Sequence, residues 1–280
     1  MNPEDFAYLA TQIKNRSGIV ITAEKMYLVE SRLLPIARHL GLADLGALVA
    51  ALRRSVPAGL IGTVVEAMTT NESLFFRDVR PFEQFKRFVL PKLLEARATS
   101  RRLRIWSAAC SSGQEPYSLA MVLAEEEARL KGWTIEILAT DLSKAMVDRA
   151  QAAAYSQFEV QRGVPAPMLA KYFVRDADKW VVAPRIRSMV RFREFNLLEE
   201  SAVLGQFDVV FCRNVLIYFD QPTKAKILAD IAGRLPHDGT LYLGGAETVL
   251  GITDRFEPVA GERGLYRLTP AAPAALRAVA

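Results

Sequence analysis

Four short stretches hold side chains whose types and spacing could do chemistry. Ala108-Ala109-Cys110-Ser111-Ser112-Gly113-Gln114-Glu115 is a small-residue turn that ends in a glycine and a carboxylate. Asp141 lies 28 residues beyond Gly113, just past the apolar run 134–139. Arg213 and Asn214 interrupt the otherwise apolar run Phe211 to Phe219, and Asp220 follows it. Thr69-Thr70-Asn71-Glu72-Ser73-Leu74-Phe75-Phe76-Arg77-Asp78 gathers hydroxyls, an amide and a cation around two phenylalanines. A turn of small residues after a strand lets backbone approach a ligand closely, although a plain tight turn would look similar. Only Gly113 in it could readily take a left-handed conformation, so a tightly cradled pyrophosphate is not expected. Asp141 is placed to accept hydrogen bonds from ribose hydroxyls, or to cap a helix starting near Ser143. Ribose recognition without a glycine-rich phosphate loop points away from dinucleotides and toward S-adenosylmethionine. Arg213 and Asn214 need partners if buried, either a ligand or backbone. Phe75 and Phe76 read as core, and Arg77 by itself as a surface or ion-paired arginine.

The elements that must position these groups fall into two blocks. Residues 1 to about 85 read as helical. Phe6, Leu9, Ala10 and Ile13 recur at helical spacing before Gly18, and a second helix follows Thr22 as a candidate cap. Asp44 precedes a third helix, and a fourth spans roughly 60 to 68. From residue 86 to 268 the pattern changes to strands alternating with helices. Apolar strands are expected at 104–109, 134–139, 190–195, 207–212 and 239–244, with a closing hairpin at 255–260 and 263–268. That rhythm predicts βαβ units and a parallel sheet covered on both faces. Residues 171–190 break it and read as a small inserted β-subdomain. Lys171 to Glu194 holds seven basic and three acidic residues, a solvated edge or a docking surface for an acidic partner. Residues 269–280 are Ala/Pro-rich and read as a flexible tail.

Composition bounds the function classes. The 280 residues are 51% apolar and 24% charged, a globular balance that excludes wholesale disorder. Two cysteines, Cys110 and Cys212, exclude a disulfide scaffold and read as packing residues. No run of 18 apolar residues exists, and the polar, acidic first residues are not a secretory signal, so a cytoplasmic location is expected. The net charge of +5 is too small to demand nucleic acid.

Taken together, TTNESLFFRD (69–78), RIWSAACSSGQEPYSLAM (104–121), ATDLSKAM (139–146), FCRNVLIYFD (211–220) and GGAETVLG (244–251) resemble the CheR family of chemotaxis methyltransferases, and the resemblance runs from about Phe6 to Leu268. It implies an α/β, Rossmann-like S-adenosylmethionine-dependent methyltransferase fold with a small all-helical N-terminal domain and a small inserted β-subdomain. It implies methyl transfer to glutamate side chains of chemoreceptor cytoplasmic helices, with S-adenosylhomocysteine as product and no metal. Residue by residue, Asn71, Ser73 and Arg77 match cofactor-contacting positions, with serine where threonine is usual. Glu115 matches the acid at the methionine end, Asp141 the ribose acid, Asn196 and Leu197 the adenine-side pair, and Arg213 and Asn214 a further lining pair. Arg77 and Tyr218 match the residues beside the sulfonium and are the candidates for assisting transfer.

This chemistry asks for little machinery. A glutamate carboxylate has an unperturbed pKa of about 4.3 and is ionised at pH 7, so no general base is needed and His39 and His237 need no role. In-line displacement draws its acceleration from orientation and from exclusion of water. Lys25 and Arg32, seven residues apart, share a helix face that could meet an acidic substrate helix or simply face solvent. Arg175-Asp176-Ala177-Asp178-Lys179-Trp180 lacks the glycine-containing turn with which family members dock a receptor-tail pentapeptide, so tight docking is not expected. A monomer recruited to membrane-associated receptor arrays is expected, with neither nucleic acid nor membrane insertion. The alternatives are a non-catalytic module that senses S-adenosylmethionine or scaffolds an array, a methyltransferase for small carboxylic acids, and an NAD-dependent oxidoreductase.

Overall fold

The computed structural model describes residues 1–270. The expectation for the tail therefore falls mostly outside the described residues. Helix α1 (Pro3–Ser17) starts where the Asn2 side chain accepts the Asp5 N–H and stops at Gly18, which takes φ 78°. A 3-10 turn (Ala23–Lys25) leads into α2 (Met26–His39), and Thr22 precedes that turn without a side-chain capping bond. Asp44 caps α3 (Leu45–Arg53) through the Ala47 N–H at 2.8 Å, and α4 (Leu60–Met68) follows. The apolar stripes of these four helices close on one another around Leu9, Ile13, Leu33, Leu48 and Val64.

The helical run does not end this block near residue 85. Helix α5 (Arg80–Gln84), a wide π turn (Phe85–Val89) and α6 (Leu90–Ala96) continue it. Their buried Phe82, Phe85, Leu90 and Leu93 join the core under the sheet instead. The packing boundary thus falls in the irregular segment 69–79. Helical periodicity shows that a face is buried but not which core it joins.

The main sheet contains β1 (Arg102–Ala108), β2 (Thr134–Asp141), β6 (Val190–Glu194), β7 (Val209–Cys212), β8 (Thr240–Leu243), β9 (Phe256–Pro258) and β10 (Leu265–Leu268). Its order is β6-β2-β1-β7-β8-β10-β9, parallel from β6 to β8 and closed by the antiparallel hairpin β9–β10. Alternate residues of one strand serve opposite faces. Phe211 packs with Phe82, Tyr117 and Tyr242 on one side, and Val210 packs with Trp106, Phe207 and Ile231 on the other. Helices α7 (Gln114–Glu125), α8 (Lys144–Ala152) and α12 (Gln221–Ala232) connect the strands.

The insert is larger than the 171–190 expected. Its first strand is β3 (Ala154–Ser156), followed by α9 (Gln157–Gln161), α10 (Ala166–Tyr172), β4 (Phe173–Asp176), β5 (Lys179–Val182) and α11 (Pro184–Arg187). The small sheet runs β3-β5-β4, with Tyr155 opposite Trp180. Three residues are too few to show an alternation in sequence, so β3 is visible only through its pairing. Gly163 lets the insert approach the site-bearing segment closely, because a Cβ there would lie 2.0 Å from the Phe75 carbonyl oxygen.

Candidate active site

Strands β1 and β7 lie side by side, and the chain leaves them toward opposite edges of the sheet. This is the switch point at whose carboxyl end doubly wound sheets place their ligands. The turn after β1 is more contorted than the sequence suggests. Ala109 and Ser111 take φ 60° and 50°, joining Gly113 at 93°, although neither is glycine. Such strain persists only where neighbours over-determine it. Here the Cys110 N–H donates to the Thr140 carbonyl at 2.8 Å and the Ser111 N–H to Asp141 Oδ2 at 2.7 Å, while the Ser111 hydroxyl reaches the Asn71 carbonyl at 2.8 Å. Gly113 is needed for space as well, since a Cβ would sit 2.9 Å from that of Ala150.

Asp141 is buried at the end of β2 with a backbone N–H on each oxygen, from Ser111 and, at 2.9 Å, from Ser143. It does not cap α8; Ser143 does, accepting the Met146 N–H. Burial pushes the Asp141 carboxyl above its ordinary value, and the N–H donors oppose that shift. Glu115, in the first turn of α7, accepts the Ser107 hydroxyl at 2.8 Å and Arg213 Nη1 at 2.8 Å. The Arg213 side chain is 1% exposed and spans the site, with Nη2 on Asp78 Oδ2 at 2.6 Å and on the Arg77 carbonyl at 3.0 Å. Its partners are thus protein groups, two carboxylates and a backbone oxygen, which makes it a brace between the 77–78 loop and α7. Cys110 and Cys212 are buried free thiols, pushed well above their ordinary range chiefly by burial.

The other wall comes from the N-terminal block. Asn71, Ser73 and Arg77 all line the cleft, Asn71 with its amide on Thr69 Oγ1 at 2.9 Å and Arg77 with Nη1 on the Glu72 carbonyl at 3.0 Å. Arg32 is engaged within the chain itself. Its guanidinium sits on the Met68 and Thr69 carbonyls at 2.9 and 2.8 Å and on Thr70 Oγ1 at 3.1 Å, closing the C-terminus of α4. Lys25 stays exposed in the 3-10 turn. Asn196 and Leu197 line the cleft after β6, but the Asn196 amide is committed to the Arg16 carbonyl at 2.6 Å and to the Leu198 N–H at 3.0 Å. A planar ring there would meet Leu197, Ile19, Phe195 and Phe219. Leu197 is the adenine-side residue that the resemblance implies; Ile19, to which the sequence pattern assigns no role, forms a bridge to Phe219.

Tyr218 and Asn214 complete the lining. Tyr218 is half-buried, and its carbonyl accepts the Val20 N–H at 2.9 Å. The loop it occupies is organised by Glu247, a residue to which the sequence pattern assigns no role. Its only visible signal is an acid in the small-residue run after the last parallel strand.

The cleft is open at its mouth and is lined by both the helical block and the sheet, from Ser17 to Phe219. A buried carboxylate fits vicinal hydroxyls, an apolar slot fits a base, and a second carboxylate fits an ammonium group. Together with the sheet order, these features define a Rossmann-like, S-adenosylmethionine-dependent methyltransferase. Comparison with known proteins agrees. Residues 4–69 match the all-alpha domain of CheR methyltransferase and residues 71–265 its S-adenosylmethionine-binding domain. Chemotaxis protein methyltransferase 1 of Pseudomonas aeruginosa is 45% identical over 268 residues, covering 94% of this chain and 97% of the relative. The chemotaxis protein methyltransferase of Escherichia coli is 34% identical over 258 residues, covering 90% of this chain and 86% of the relative. The chain belongs to the CheR methyltransferase family.

Proposed function

We propose that this enzyme esterifies glutamate side chains on the cytoplasmic helices of chemoreceptors, giving glutamyl methyl esters in chemotactic adaptation. The observation that carries the reading is the convergence of Arg77 and Tyr218 on the cleft that also holds Asp141 and Glu115. Asp141 would take the ribose hydroxyls, Glu115 the amino group of the methionine arm, and Leu197 with the backbone at Asn196 the adenine. Asn71, Ser73 and Asn214 would line the arm, and Arg213 would fix Glu115 in place. Bound S-adenosylmethionine supplies an electrophilic methyl on a positively charged sulfur. The planar fork of Arg77 would hold the incoming carboxylate, and the Tyr218 hydroxyl would aim it along the line of attack. No side chain has to remove a proton, because the acceptor is already ionised at neutral pH.

We further propose that the helical block of residues 1–69 contributes to substrate recognition, that the enzyme acts as a cytoplasmic monomer at receptor arrays, and that it does so without tight docking of a pentapeptide. Among the described residues, no helix is long and apolar enough to cross a membrane. The β4–β5 turn is Ala177-Asp178, with no glycine. The test is transfer of labelled methyl to a receptor cytoplasmic fragment, followed by base. Volatile methanol is expected. Cofactor binding with no label on any receptor fragment would instead favour a sensor.

A further inference from the structure

We infer that Glu247 is a positioning residue for methyl transfer, the clamp that holds the Tyr218 loop in its working shape. The inference rests on the role proposed above for Tyr218. Between β7 and α12 the chain makes one 3-10 turn, Leu216–Tyr218. The N–H groups ahead of such a turn have no partner within it. Those of Asn214, Val215, Leu216 and Ile217 converge on the Glu247 carboxylate at 2.8, 2.9, 2.7 and 3.3 Å. Gly244 adds a fifth at 2.6 Å, from the end of β8. A carboxylate has about four lone-pair sites, so this one is saturated by backbone. It is 9% exposed, and it makes no ion pair with Lys or Arg among the described residues. Nothing is left over for a ligand, and four of its five partners lie on the loop that carries Tyr218.

The surroundings enforce the arrangement. Asn214 takes φ 60°, a conformation that its neighbours must hold in place. A Cβ on Gly244 would lie 2.7 Å from both Asn214 Nδ2 and Glu247 Oε2. Tyr218 is therefore clamped on both sides, by the Ile217 N–H on Glu247 and by its own carbonyl on Val20. Arg213, by contrast, is held by Glu115 and Asp78 and does not depend on Glu247.

In Glu247→Gln an N–H₂ group must face backbone donors, so one half of the clamp opens without any change in side-chain size. The experiment is a double-mutant cycle with Tyr218→Phe on the full-length enzyme, following labelled methyl transfer to a receptor fragment. Affinity for S-adenosylhomocysteine is measured in parallel, at a temperature where every variant is folded. Glu247→Gln should lower kcat by about 10²-fold, the cost of misplacing a reacting group by about 1 Å. Product affinity should stay within about threefold of the parent, because Arg213 and Asp141 are held separately. In the Tyr218→Phe background the same change should cost less than about threefold. Glu247→Asp, which keeps the charge, should recover part of the rate, and it replaces Glu247→Gln in the cycle if the latter does not bind product. A parental kcat in Glu247→Gln, or an equal loss in both backgrounds, would overturn the inference while leaving the site reading intact. A parental rate in Tyr218→Phe alone would overturn the Tyr218 role, and this route with it.

Discussion

Asp141 sits where burial and hydrogen bonding pull its charge in opposite directions, with burial the stronger. Folding therefore loses some stability as pH rises through the elevated folded value of this carboxyl. Ribose hydroxyls donate to the ionised form, so cofactor binding should favour that form. Affinity for S-adenosylhomocysteine should then rise with pH across the Asp141 titration and level off above it. Calorimetric titration over acidic to neutral pH checks this, and Asp141→Asn should bind weakly with a flat profile. Arg77→Ala and Tyr218→Phe should instead bind product near normally and lose turnover; retained kcat in either would remove its proposed role. Asp141 and Arg213 stand out in the sequence as polar groups at apolar runs, which must find partners if buried, and Glu115 stands out only through the resemblance. What Arg213 binds was not legible, since its carboxylates lie 98 and 135 residues away. Glu247 escaped for a related reason: its partners are backbone N–H groups, which carry no residue signature.

Helix α4 is held at its C-terminal end by two side chains. Arg32 closes its last carbonyls, and Glu66 reaches out to the Ser143 hydroxyl at 2.5 Å and the Ala145 N–H at 2.9 Å, in the first turn of α8. Arg32→Ala should lower the melting temperature by the equivalent of about 1.5–3 kcal/mol, the range for hydrogen bonds that involve a charged group. It should also weaken product binding, because the Thr69–Ser73 wall starts where Arg32 lets go. Thermal unfolding and titration together check this; a fall in melting temperature with unchanged affinity would separate the cap from the site. The elements themselves were largely legible, since α1, α3, α12 and the parallel strands carry caps or apolar runs that a periodicity argument can find. Elements defined by pairing were not, as β3 and the joining of α5 and α6 to the sheet core show. The left-handed Ala109 and Ser111 defied residue preference because Asp141, Thr140 and Asn71 fix their backbone from outside.

For the molecule as a whole, the helical block and the sheet are joined by few but directed contacts. Lys14 pairs with Asp220 at 2.7 Å, which ties α1 to the cap of α12. The Lys14 hydrogen bond, with help from Thr223, holds the Asp220 carboxyl well below its usual range. A lowered carboxyl contributes stability above its unfolded pKa of about 3.9 and loses it as pH falls toward the folded value. Lys14→Ala should therefore reduce the acid-side slope of stability while leaving its alkaline side unchanged, as urea unfolding across pH would show.

The cleft draws Ser17 and Ile19 from the first helix and its exit, and Asn214 and Tyr218 from beyond the middle of the chain. Chains fold as they are synthesised, N-terminal parts first. On the ribosome, the four leading helices can close their own core while the strands that finish the cleft are still being made. The nascent enzyme thus cannot close the wall of its donor cleft until the Tyr218 loop has cleared the exit tunnel, and donor availability can influence only a chain made past that loop.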